Sequence, residues 1–193
     1  MKNSIIAILA FVLFTSYTLD KESFYFDDLI HYSDYIVVGE VSEQDSLFYQ
    51  FKISEIFKGE IISKTISIKK YSSWTCEPRE NYETGEKAIL FLYNINDTLR
   101  TCGGSDGEIF YTDSNHIRLN SRVEASLNEY KEAIQQFNSC VSLGHKKYKK
   151  SIGEVSYAWN YKLTNKKYFK MINKNNPVSK YLVERLNKKK RVK

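Results

Sequence analysis

The sequence predicts a mainly β protein: a small five-stranded closed β-barrel, a helix packed on it, and a basic helical extension behind. Three observations carry this. Between Ser33 and Gly104, short apolar–polar alternations follow one another, separated by glycines and acid–base turns. The connections between them show no helical periodicity, so turns rather than crossover helices join neighbouring strands. From Asn120 onward apolar residues recur at helical spacing, and beyond Gly144 the charge turns strongly positive.

Taken in order, Lys2, the apolar run Ile5 to Phe14 and the polar Thr15-Ser16 read as a signal peptide over 1–19. That run of about ten residues is too short to cross a roughly 30 Å hydrocarbon layer as a helix. No cysteine follows it closely, so no lipid-anchored start is expected. The barrel is expected over 20–118, its packed helix over 119–143 and the basic helical extension over 144–193. Phe24, Leu29 and Ile30 suggest a short amphipathic helix or turn leading into the first strand. Tyr35 to Ser42 carries the β-branched run Ile36-Val37-Val38, suited to a buried strand. Gly39 breaks that run, which signals a bulge or a close backbone approach. Leu47, Tyr49, Phe51 and Ile53 alternate with Gln50, Lys52 and Ser54 in the clearest two-sided strand. Thr65 to Tyr71 alternates again, Lys87 to Tyr93 is apolar enough to be buried on both faces, and Leu99 to Cys102 is a short fifth strand. Ile109 to Thr112 adds an edge segment. Closure of the sheet removes exposed edges that would otherwise invite aggregation.

Asn120-Ser121 is expected to cap the following helix, whose stripe Val123, Leu127, Tyr130, Ile134 and Phe137 packs on the barrel. Residues 144–176 are rich in lysine and aromatics and give no clear period. Pro177 starts the last helix.

Charge divides the chain. Residues 1–144 carry 13 Lys/Arg and 21 Asp/Glu, a balance of −8, whereas 145–193 carry 16 Lys/Arg and two acids, a balance of +14. A basic stretch of that density attracts anionic polymers at long range.

The chemistry-bearing residues are sparse. His31, His116 and His145 stand in separate segments outside any metal-binding or protease spacing. Cys102-Gly103-Gly104-Ser105 lacks the strand–glycine loop–helix context of a phosphate cradle. No catalytic residue, metal or cofactor is expected, and the chain reads as a non-enzyme. Of the three cysteines, Cys76 and Cys102 flank a strand-rich segment and form the expected disulfide. Closing a loop of about 26 residues would stabilise the fold by roughly 3.5 kcal/mol on the chain-entropy model. Cys140 is left free, paired between chains, or displacing one of the others. Tyr71, Trp74, Tyr82 and Tyr93 are the candidate binding rim, or else the cover of the barrel's end.

The series Asp34-Tyr35-Ile36-Val37-Val38-Gly39-Glu40-Val41, Phe51-Lys52-Ile53 with Ile56-Phe57-Lys58-Gly59, Cys76, Gly85-Glu86-Lys87 with Leu90-Phe91-Leu92, and Leu99 with Thr101-Cys102-Gly103-Gly104-Ser105 resembles bacterial secreted domains similar to tissue inhibitors of metalloproteinases. The likeness spans Ser33 to Ser105. It implies a netrin-like module on an OB-type barrel, with an associated helix, a structural disulfide that Cys76 and Cys102 match, and a protein- or protease-binding role. In true inhibitors an N-terminal cysteine chelates the target's zinc. No Cys-x-Cys stands near the expected start at Leu19-Asp20-Lys21, so that chelating wedge is missing. The function expected is a secreted or periplasmic, cell-envelope binding module that engages a protein or envelope component through its rim. The alternatives are a metalloprotease inhibitor, and a binder of anionic polymers or nucleic acid through residues 145–193.

Overall fold

The computed structural model describes residues 25–71, 79, 81–119, 123–149, 155–165, 172 and 175–191, with 143–149, 155–162 and 189–191 as backbone alone. The expected signal segment, Trp74 and Cys76 lie outside the described residues. Helix α1 (Phe26–Tyr32) leads into β1 (Tyr35–Gln44), β2 (Phe48–Lys58) and β3 (Thr65–Lys69). β4 (Lys87–Ile95) and β5 (Thr98–Thr101) complete the barrel. The strand order is β1-β2-β3-β5-β4, and β4 pairs back with β1 to close the circle. β3 and β5 run parallel, and every other barrel pairing is antiparallel. The architecture is the expected OB-like one. A short edge strand, β6 (Glu108–Tyr111), adds to β4 after one 3₁₀ turn.

Two cores explain the sequence of β1 and β4. Val37 and Val41 of β1, with Ala88, Leu90 and Leu92 of β4, point into the barrel, where they meet Tyr49, Phe51, Ile66 and Ile68. The intervening Ile36, Val38, Ile89 and Phe91 point outward under the helices. Both strands are therefore buried on two faces, and each reads as a continuous apolar run rather than an alternation. Gly39 sits at a register shift between β1 and β2, where a Cβ would lie 2.0 Å from the Lys52 carbonyl oxygen. The strand bends there, and the Ser54 hydroxyl donates to the Val38 carbonyl at 3.1 Å. The β4–β5 turn places Asn96 and Asp97 at φ 49° and 60°, conformations these two residue types tolerate better than most.

The helical layer departs from expectation at its start. Val123–Ala125 is a strand (β8) paired with β7 (Ile117–Leu119), and helix α2 begins only at Leu127 and runs to Cys140. Ser126, not Asn120-Ser121, caps it. Its hydroxyl accepts from the Glu129 amide at 3.4 Å, while the Glu129 carboxylate accepts from the Ser126 amide at 2.7 Å. This reciprocal box satisfies two donors that a helix start leaves orphaned. Tyr130, Ala133, Ile134 and Phe137 face the outer core, as the stripe requires.

The basic helical extension expected over 144–193, whose residues 144–176 give no clear period in the sequence, is preceded and entered by a hairpin, β9 (Val141–Lys149) and β10 (Val155–Leu163). Helix α3 (Pro177–Arg191) follows and starts where Pro177 places it. Asn176 caps α3 by accepting from the Val178 and Ser179 amides, both at 3.0 Å. Its side-chain amide also donates to the Glu129 carbonyl of α2 at 2.8 Å. Arg185 of α3 pairs with the buried Asp27 of α1 at 3.4 Å. Three helices are thus locked to one another over the outer core. Among the described residues no helix is long and apolar enough to cross a membrane.

Candidate binding site at the barrel end

One end of the barrel collects the β1–β2 turn, the ends of β3 and β5, the start of β6, and the chain leading into β4. Its floor is polar and aromatic. Tyr49 projects inward from β2, because its position in the alternation is an interior one. Tyr82, from the chain before β4, stacks on it with ring centroids 4.3 Å apart and planes at 19°. Both hydroxyls turn to the Glu108 carboxylate at the start of β6. Tyr49 donates at 3.0 Å, and Tyr82 lies 3.1 Å from each oxygen. Burial pushes the Glu108 carboxyl up to about 7, a rise that the two tyrosine hydrogen bonds and nearby Arg79 hold back. Burial first, and then the Glu108 charge, raises the Tyr49 and Tyr82 phenols, so both remain donors.

Arg79 lies over the Phe110 ring at 4.1 Å and the Tyr82 ring at 5.2 Å, and forms an ion pair with Glu86. Gln44, at the end of β1, clamps the Tyr82 backbone from both sides. Its amide donates to the Tyr82 carbonyl at 2.7 Å and its oxygen accepts from the Tyr82 amide at 3.2 Å. Lys70 donates to the same Gln44 oxygen at 2.6 Å. The arrangement is a plug: it fills the barrel's end and leaves the carboxylate oxygens engaged by tyrosine.

The candidate rim does not assemble as one patch. Tyr82 is only 3% exposed and belongs to the plug. Tyr71 is half-buried at the same end, beside Gly104, where a Cβ would lie 3.0 Å from its ring. Tyr93 is half-buried on the outward face of β4 and packs at the margin of the helix-side core. Trp74 lies outside the described residues. Sequence reasoning passed over Glu108 and Arg79. Nothing in the chain near Glu108 marks it, since a glutamate before Ile-Phe-Tyr reads as a strand edge. The signal for Tyr49 was present in the β2 alternation. Leu47, placed by that same alternation on the interior face, is 60% exposed. It falls before β2, in a turn where the Asp45 carboxylate accepts from the Leu47 and Phe48 amides, both at 2.7 Å.

The cysteines also differ from expectation. Cys102, whose expected partner Cys76 lies outside the described residues, is a free thiol buried in the helix-side core, and Cys140 is a second buried free thiol. Among the described residues there is no disulfide. The Cys102 thiol is pushed up to about 12, chiefly by burial and then by the Asp34 charge, with Lys58 opposing. Burial likewise lifts Cys140 to about 11. His31 packs against Phe137 with ring centroids 5.1 Å apart, and His116 lies 3.1 Å from Glu124 on the exposed β7–β8 hairpin. Among the described residues no three His, Cys, Asp or Glu side chains are grouped as a metal site. Comparison of the chain with protein-family models, curated proteins and solved structures finds no match.

Proposed function

We propose that this chain is a non-enzymatic, exported binding module that docks a protein partner on the plugged end of its barrel. The observation that carries the reading is Leu47, a large apolar residue held exposed by an ordered Asp45 turn at the same end as Tyr71. The plug of Tyr49, Tyr82 and Glu108 gives that end a stiff floor. A pre-formed surface needs little ordering on association, and apolar and aromatic side chains at its centre supply most of the affinity. The test is recovery of partners from envelope and culture fractions on immobilised protein, with Leu47→Asp and Tyr71→Ala as controls. A partner retained by the wild type and lost on both variants supports the reading. A partner held equally by all three proteins places the contact elsewhere. Inhibition of zinc proteases, assayed with the same material, tests the inhibitor alternative.

The basic run Lys188-Lys189-Lys190-Arg191 at the end of α3 supports a second reading, attraction of anionic polymers through residues 145–193. Such binding weakens steeply with salt.

A further inference from the structure

A row of residues crosses the outer face of the barrel on four neighbouring strands. Phe48 of β2 is opposite Lys69 of β3, Lys69 is beside Arg100 of β5, and Arg100 is opposite Tyr93 of β4. With adjacent strands about 4.8 Å apart, the row spans roughly 14 Å. It places two cations side by side at its centre and one aromatic ring at each end. Arg100 is exposed, while Lys69, Phe48 and Tyr93 are half-buried.

Two like charges in register on paired strands oppose the pairing that holds them there. Three cations on or beside this barrel do have partners: Lys52 pairs with Glu40 at 3.6 Å, Arg79 with Glu86, and Lys131 of α2 with Glu55. Among the described residues no carboxylate forms an ion pair with Lys69 or Arg100. Of the acids on flanking β1 and its turn, Glu40 pairs with Lys52, Asp45 holds the backbone of its own turn, and Glu43 stands opposite Gln50 rather than opposite either cation. The row continues into neutral Gln50 and Ser67, which face each other one step further along β2 and β3. A local arrangement that costs stability and has no compensating partner among the described residues marks a site for an outside one.

We infer that the outer face of β3 and β5 binds a phosphomonoester, its phosphate between Lys69 and Arg100 and its organic part on Phe48 or Tyr93. Two adjacent positive charges match a group carrying about −1.5 to −2 near neutrality better than a carboxylate carrying −1. The arginine fork adds paired hydrogen bonds to phosphate oxygens, and the lysine adds a point charge. The row adjoins the barrel-end surface at Leu47-Phe48 but uses different side chains from Leu47 and Tyr71, so phosphate binding and protein docking are tested by different substitutions.

The test titrates full-length protein with phenyl phosphate, inorganic phosphate, glucose 6-phosphate and O-phosphoserine, followed by amide NMR shifts, with benzoate as the carboxylate control. Shifts centred on Lys69, Arg100 and their strand neighbours are expected with phenyl phosphate. The Lys69→Gln/Arg100→Gln variant should weaken that binding at least tenfold while its melting temperature stays level or rises, because a repulsion has been removed. A purely structural role would instead lower the melting temperature. Comparison of the sugar and amino-acid esters identifies which organic part is preferred. The inference is overturned if no phosphate probe shifts these residues, if benzoate binds as well as phenyl phosphate, or if the double variant binds as the wild type does.

Discussion

Replacing Glu108 by glutamine should remove the pH dependence that the barrel-end plug imposes on stability. In the folded protein the Glu108 carboxyl is raised from its ordinary 4.5 to about 7, mainly because the plug excludes water. The folded state therefore holds this proton more tightly than the unfolded chain does. The stabilisation is complete below pH 4.5 and is lost as pH rises through about 7. At 1.36 kcal/mol per pH unit, the loss across that window is about 3 kcal/mol. This is an upper bound, because Glu108 retains some contact with solvent. Glutamine keeps the shape and an acceptor for one tyrosine hydroxyl but never carries charge. Urea denaturation of both proteins at pH 5, 6, 7 and 8 isolates this residue, since other titrating groups cancel in the difference. The difference should move in favour of Glu108→Gln by 1–3 kcal/mol, to order of magnitude, between pH 5 and 8. A difference that does not change with pH would refute the burial argument.

Three further outcomes follow from local geometry. Ser126→Ala removes one half of the box that starts α2 and should cost about 1 kcal/mol in urea denaturation; an unchanged midpoint contradicts the assigned cap. Gly39→Ala drives a Cβ against the Lys52 carbonyl oxygen, a backbone atom that cannot swing aside, and should cost up to about 3 kcal/mol. A variant as stable as the wild type would mean that the β1 bend is absent. Cys102 and Cys140 should react with a thiol reagent at pH 8 only as fast as the protein opens, since burial raises both thiols; non-reducing mass spectrometry that finds Cys102 bridged would overturn its assignment as a free thiol.

Much of the barrel was legible because it obeys a period. Tyr49 and Phe51 alternate with Gln50 and Lys52, and the structure buries the first pair and leaves the second toward solvent. Gly39 announced the bend in β1, and the continuous apolar run of β4 announced burial on both faces. The start of α2 was misplaced because Val123 fits a helical stripe and a short strand equally well, and the Ser126–Glu129 box outweighs Asn120-Ser121 as a cap. The β9–β10 hairpin was missed although Val155, Tyr157, Trp159, Tyr161 and Leu163 alternate with smaller or polar residues, because the dense lysines around them mask the period. The plug was illegible for a different reason. Tyr49, Tyr82 and Glu108 are far apart in sequence, and only closure of the sheet brings their polar atoms together.

That closure also bears on where the protein can meet a ligand. A five-stranded barrel has an interior just large enough for its own side chains, and here Val37, Phe51, Ile68, Leu90 and Leu92 occupy it. The helices cover much of the outward face of β1 and β4. Among the described residues, what remains is the plugged end, with Leu47 above it, and the outer face of β3 and β5 with the start of β2. The two surfaces differ in chemistry: the first sets Leu47 and Tyr71 beside a polar, aromatic floor, and the second is cationic between aromatics. Separate occupants can therefore engage the same barrel without competing for one group of side chains. The uncharged substitutions Leu47→Ala and Tyr71→Ala should leave phosphate-probe binding intact, and substitutions at Lys69 and Arg100 should leave protein capture intact. Loss of both activities from either pair would show that the two surfaces act as one.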